Sequence, residues 1–199
     1  MTKSRKSSVH RKTQETDILV DLNLDGTGKH QIKSGNGTLD HLLVQLSRHG
    51  SLDLAITAKG DLETGWHHTV EDIAIALGRA IHEAVGDGRG ITRIAHSFVP
   101  FDETLAQVIL DLSGRGYALV DTQLNHELVE HLPGDMVRHF LETLAIEGKF
   151  TLHARVVYGQ NSHHKAEGLF KALARALAEA SRISPRTPDQ VPSSKGTLR

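Results

Sequence analysis

The sequence predicts an α+β fold: an internal duplication in which each half is a two-layer unit, a β-sheet half-covered by helices. Three observations predict it. Segments of alternating and of helix-periodic hydrophobicity follow one another in the same order twice. Two related motifs, His67-His68-Thr69-Val70-Glu71 and His163-His164-Lys165-Ala166-Glu167, each open a segment of helical periodicity. Finally, Glu15-Thr16 followed by Val20, Leu22, Leu24, Gly26 and Gly28 returns as Glu103-Thr104 followed by Val108, Leu110, Leu112, Gly114 and Gly116, at a constant offset of 88 positions from Glu15 to Glu103.

Residues 1–14 are basic and Ser-rich with little apolar content, which predicts a flexible arm. Ile18, Val20, Leu22 and Leu24 alternate with polar residues up to Asp25-Gly26-Thr27-Gly28, a strand running into a turn, and a second short strand follows through Ile32. Leu39, Leu42, Leu43 and Leu46 recur at helical spacing as far as Gly50, on a helix that also carries His41 and His49. Leu52, Leu54 and Ile56 predict a strand that ends at a Gly60-Asp61 turn. Val70, Ile73, Ala74, Leu77, Ile81 and Val85 make the buried stripe of the next helix, which stops at Gly86-Asp87-Gly88. After a connecting region containing Arg93, the order repeats. Val137-Arg138-His139-Phe140-Leu141 mirrors Leu39-Asp40-His41-Leu42-Leu43, now offset by 98 positions from His41 to His139. A strand over Thr151 to Tyr158 precedes the last helix, with Leu169, Phe170, Leu173, Ala174 and Leu177 inward. The halves are therefore residues 15–90 and 91–183, and residues 184–199, rich in Pro, Ser and charge, predict an extended tail.

Composition narrows the function. A net charge of −1 and a pI near 6.9 offer no electrostatic case for nucleic acid or an anionic membrane as partner. No apolar run approaches the roughly 18 to 20 residues that span a bilayer, and no signal-peptide core is present. The absence of cysteine removes thiolate metal sites and makes the cytoplasm the expected compartment. Fourteen histidines are the outlier, and their pairing invites a metal reading.

In each HHxxE motif the first His and the Glu share a helix face, while the second His lies about 100° round the helix. Imidazole with carboxylate suits Mn, Fe or Zn. The duplication offers eight such groups: His41, His67, His68 and Glu71 in one half, His139, His163, His164 and Glu167 in the other. The interval from helix His to motif is nearly kept, 26 positions from His41 to His67 and 24 from His139 to His163. Two metal sites are expected, one from His67, Glu71, His139 and His164, the other from His163, Glu167, His41 and His68. Three imidazoles and one carboxylate leave coordination positions for water or substrate, as a catalytic site requires. The bland reading, a packed or capping histidine, is kept for His10, His30, His82, His96, His126 and His131. Glu71 alone could simply complement a helix dipole, but that would not call for two adjacent histidines.

The stretches LDHLLVQLSRHG, HHTVEDIAIALG, GRGITR, FDETLA, LDLSGR, NSHHKAEGLFKALARAL and PSSKGTL together resemble the imidazoleglycerol-phosphate dehydratase family, over about Arg11 to Leu198. The resemblance implies a duplicated fold like the second domain of ribosomal protein S5, and a shell of twenty-four subunits with metal sites at their interfaces. It implies two Mn2+ per chain and a phosphorylated imidazole substrate. The reaction would be dehydration of D-erythro-imidazoleglycerol phosphate to imidazoleacetol phosphate in histidine biosynthesis, through metal-bound imidazolate and a diazafulvene-like intermediate. It points to Glu15 for proton transfer, with His49, Glu71 and Glu167 also catalytic, and to Gln45, His67 and His163 as substrate contacts. Arg93, Arg115, Lys171, Ser193, Ser194 and Lys195 are its implied phosphate contacts; Lys171, one turn beyond Glu167, also lies on the metal-facing stripe. The chain departs from the family pattern at Gly65-Trp66, where an acidic pair is usual, and at Gly116, where proline is usual. Alternatives on the same residues are another dinuclear metal hydrolase and a non-catalytic divalent-metal-binding oligomer.

Overall fold

The computed structural model of the chain describes residues 5–60, 63 and 65–198. Met1–Ser4 of the expected arm and Asp61 of the expected turn lie outside the described residues. The first half comprises β1 (Lys6–Lys12), β2 (Thr16–Asn23), β3 (His30–Lys33), α1 (Gly37–Gly50), β4 (Asp53–Gly60) and α2 (His67–Val85). The second comprises β5 (Ile94–Phe101), β6 (Thr104–Asp111), β7 (Tyr117–Asp121), a short ribbon of β8 (Leu128–Val129) and β9 (Leu132–Pro133), α3 (Gly134–Glu147), β10 (Thr151–Tyr158) and α4 (Ser162–Ser181).

The duplication holds strand by strand. One sheet runs β1-β2-β4-β3 and the other β5-β6-β10-β7. In each, the last strand pairs parallel and the rest antiparallel. The β8–β9 ribbon has no counterpart among the described residues of the first half, and its insertion explains why the offset grows from 88 to 98.

Two expectations are corrected. From Lys6 the arm is not free: β1 pairs with β2 from Lys6 opposite Asn23 to Lys12 opposite Asp17. Its inward side chains escape a hydrophobicity reading because two of the three are polar. Ser7 Oγ donates to the Ala80 carbonyl at 2.7 Å, Val9 packs on the core, and Arg11 Nε donates to Asp72 Oδ1 at 2.8 Å. The connecting region around Arg93 likewise contains a full strand, β5, the counterpart of β1.

Helix α2 lies on β1 and β2, and α4 on β5 and β6; across the middle α1 packs on α4, and α2 on α3. The chain is thus sheet, helices, sheet, with every helix inside. Leu42, Leu43, Leu46, Ile73, Leu77, Leu144, Leu173 and Leu177 are all at most 1% exposed, and burying one such side chain contributes about 1.5–3 kcal/mol. Phe140 and Phe170, with ring centroids 5.4 Å apart, join α3 to α4. Gly78 permits the tightest approach of α2 to α3, where a Cβ would stand 2.8 Å from the Leu144 carbonyl oxygen. Gly116 has a similar cause: a Cβ there would meet the Ile146 carbonyl at 2.5 Å, so in this chain the departure from proline belongs to packing on α3.

The tail is held by its own chain. The Gly90 amide donates to Gln190 O and the Ser184 amide to Gly90 O, both at 2.7 Å. Leu198 is 9% exposed and closes over Gly88.

Candidate metal centre

Crossing the halves brings the predicted ligands together. His41 on α1 meets His163 and Glu167 on α4, and His139 on α3 meets His67 and Glu71 on α2; in each trio the candidate ligand atoms lie within 4.8 Å of one another. Both trios draw their HHxxE residues from one half and their third ligand from the other. This follows from α1 facing α4 and α2 facing α3.

In the α1–α4 trio, Glu167 Oε2 lies 2.7 Å from His41 Nε2 and 2.9 Å from His163 Nε2, while Oε1 takes Lys171 Nζ at 2.5 Å. Burial acts to raise the Glu167 carboxyl, but Lys171, His41 and His163 outweigh it and hold it at about 2. Gln45 Nε2 is 3.4 Å from His41 Nε2. His49, the other histidine of α1, is kept below its ordinary value first by burial and then by the Lys171 charge, both of which disfavour its charged form. Lys171 Nζ also sits 4.0 Å above the Phe101 ring.

In the α2–α3 trio, the His67 and His139 rings stack at 4.8 Å, and His139 Nε2 points at Glu71 Oε1 from 3.3 Å. That nitrogen is buried and makes no hydrogen bond among the described residues. A buried nitrogen left bare beside a carboxylate and a second imidazole fits a site whose missing partner is a cation.

The two trios are three of the four residues of each expected set; the fourth, His164 or His68, does not join its trio within one chain. About 100° round their helices, these two histidines face acidic residues immediately before β2 and β6: His68 Nδ1 is 3.6 Å from Glu15 Oε2, and His164 Nδ1 is 2.6 Å from Glu103 Oε2. The two pairs are equivalent in the duplication but unequal in order. Glu15 is half-exposed. Glu103 Oε1 accepts from the Asn161 and Gln160 amides, and these bonds, led by Asn161 and followed by His164, hold its carboxyl well below the usual range. Asn161 in turn caps α4 by accepting from the His163 and His164 amides at 2.8 and 3.2 Å.

The residues implied for phosphate binding divide. Lys171 is at the α1–α4 trio. Arg93 is already engaged: Nε and Nη2 donate to Asp111 at 2.7 and 3.1 Å, and Nη1 to the Pro192 carbonyl at 2.8 Å. It therefore anchors the segment leading into Ser193, Ser194 and Lys195. Gly114, next to Arg115, lines one small cavity with Thr197 and Leu198, so that turn and the tail share a surface. Glu103, Phe101 and Asn161 were not singled out from the sequence. The place of Glu103 as counterpart of Glu15 was the available signal for it, and an Asn just before Ser162-His163 was the signal for a cap.

A duplicated α+β chain with two matched histidine–carboxylate trios across its halves defines a class of protein whose paired residue groups could hold metal ions. A family model described as imidazoleglycerol-phosphate dehydratase matches residues 34–177. A curated imidazoleglycerol-phosphate dehydratase of Dehalococcoides mccartyi is 53% identical over 198 residues, covering 100% of this chain and 99% of its own. Its counterpart in Chloroflexus aurantiacus is 48% identical over 98% of this chain and 95% of its own. Crystal structures of the enzymes from Pyrococcus furiosus (TM-score 0.80, 35% identity, 94% of this chain and 98% of that one) and Staphylococcus aureus (0.78, 32%, 89% and 100%) share the fold. The chain belongs to the imidazoleglycerol-phosphate dehydratase family, lyases of histidine biosynthesis.

Proposed function

We propose that this chain dehydrates D-erythro-imidazoleglycerol phosphate to imidazoleacetol phosphate with two Mn2+ per chain. The observation that supports this most directly is the pair of cross-half trios, since a substrate bearing an imidazole with two ring nitrogens suits two ions. His41, His163 and Glu167 would hold one ion and His67, Glu71 and His139 the other, with His68 and His164 completing the sets of neighbouring subunits in a homo-oligomer of twenty-four. Bound ions supply Lewis acidity toward the ring and a template for it.

The chain's own groups do the rest. Glu15, half-exposed beside His68, moves the substrate's carbon proton. His49 and Gln45, the latter already against His41, contact the substrate where it meets α1, and His67 and His163 contact it from the starts of α2 and α4. Lys171, Arg115, Ser193, Ser194 and Lys195 hold the phosphate, and Arg93 fixes the tail from which three of them project. The proposed compartment is the cytoplasm; no described helix is long and apolar enough to cross a membrane.

Incubating manganese-loaded protein with imidazoleglycerol phosphate tests the reading. Imidazoleacetol phosphate should form, with metal analysis finding two ions per chain. No product from fully loaded protein, or full loading at one ion, would contradict it.

A further inference from the structure

The duplication places one carboxylate in each half in front of the second histidine of its motif, yet only Glu15 has a proposed task. Its counterpart Glu103 has two separate jobs for its two oxygens. Oε1 accepts the Gln160 amide at 3.1 Å, the Asn161 amide at 2.9 Å and the Thr104 hydroxyl at 3.0 Å. Oε2 lies 2.6 Å from His164 Nδ1. Two of these three donors cannot change role, because backbone N–H groups only donate. These bonds hold the carboxyl group in place, and in its ionised form the other oxygen can only accept.

We infer that Glu103 is a positioning residue that holds His164 in the tautomer with its proton on Nδ1, so that Nε2 presents a lone pair outward to a divalent metal ion. Facing groups agree with this. The Phe101 ring packs on the imidazole at a centroid distance of 4.5 Å and restrains its rotation. Asp102 Oδ2, the carboxylate on the Nε2 side, is 3.8 Å away, beyond hydrogen-bond reach. A carboxylate accepting from the distal N–H of a metal-binding histidine is a general way to fix its orientation, and losing it typically weakens metal binding 10- to 100-fold. The pair Glu15–His68, at 3.6 Å, lacks this short contact. The duplicated positions have therefore diverged, one carboxylate held by three donors and a short histidine contact and the other at 3.6 Å from its histidine. The inference rests on the reading of His164 as a metal ligand.

Glu103→Gln separates positioning from structure. Its carbonyl oxygen must remain with the three donors that surround Oε1, which keeps the loop and the start of α4 intact. Its NH2 then faces His164 Nδ1 and can only donate, so the imidazole proton must move to Nε2. Solid-state 15N spectra of histidine-labelled metal-free protein, with His164→Gln to assign the signal, read the tautomer directly. The expected result is Nδ1–H in the wild type and Nε2–H in Glu103→Gln, with thermal stability close to wild type and Mn2+ affinity lowered about 10- to 100-fold. A wild-type His164 protonated on Nε2 would overturn the inference even if the variant failed to fold. So would a folded Glu103→Gln with unchanged Mn2+ affinity, provided that His164→Gln itself loses metal. If His164→Gln binds Mn2+ as well as wild type, it is the ligand reading of His164 that falls.

Discussion

At the residue scale, Glu167 concentrates the demands of the site. It sits 8% exposed among two imidazoles and a lysine, where an uncompensated charge would be costly and three donors offset the loss of water. Glu167→Gln removes a candidate metal ligand and leaves Lys171 facing a neutral group. Its kcat/KM is expected to fall by at least about 100-fold, since even partners behind a ligand are worth 10- to 100-fold. The carboxyl also carries a pH signature. Its folded value is depressed from 4.5 to about 2, so its stabilising effect is present above about 4.5 and is lost as pH falls toward 2. In metal-free protein the stability advantage of wild type over Glu167→Gln should shrink across that window in urea titrations. An advantage that stays constant from neutral pH down to 2 would show that the ionised carboxylate is not what holds the trio.

At the element scale, the position of each trio is a matter of helix contact. Gly78 lets α2 approach the backbone of α3 so closely that a Cβ would stand 2.8 Å from both Leu144 O and Gly148 N. Backbone atoms cannot swing away as a flexible side chain can. Gly78→Val is therefore expected to cost about 1–3 kcal/mol in denaturant unfolding and to displace His67 and Glu71 from His139, leaving the α1–α4 trio in place. Metal analysis should then find one site per chain weakened and the other retained. Wild-type stability in this variant would mean that the α2–α3 contact does not set that trio's geometry. The capped start of α4 is the corresponding feature on the other side, because Asn161 binds the amides of both motif histidines there.

At the scale of the whole molecule, two ligand candidates turn away from the trios of their own chain. His68 and His164 lie beside Glu15 and Glu103 instead, and in the proposed homo-oligomer a neighbouring subunit would complete each expected set. His68→Ala and His164→Ala proteins, each weakly active alone, are expected to regain activity when dissociated together and reassembled, because a mixed contact can combine an intact trio of one chain with the intact histidine of its neighbour. Mixtures no more active than the two variants assayed apart would place every ligand within one chain.

Much of this was written locally. Alternation and helical periodicity marked β2, β4, β10 and all four helices, because their buried faces are aliphatic. Chemistry-bearing spacing marked the eight His and Glu residues, because ligands four apart on a helix must share a face. The edge strands β1 and β5 were not legible as strands. The inward face of β1 is satisfied partly by Ser7 and Arg11 through hydrogen bonds to α2, and such bonds leave no hydrophobic trace. Sequence by itself determined the duplication, the two motifs and the family. The groupings of His41 with Glu167 and of His139 with Glu71 were expected from the motifs, but only the tertiary structure decided that they arise from halves meeting helix to helix, and that Glu103 and Glu15 have different surroundings. Contacts between residues about a hundred positions apart depend on how two sheets pack, and no local period in the chain encodes that.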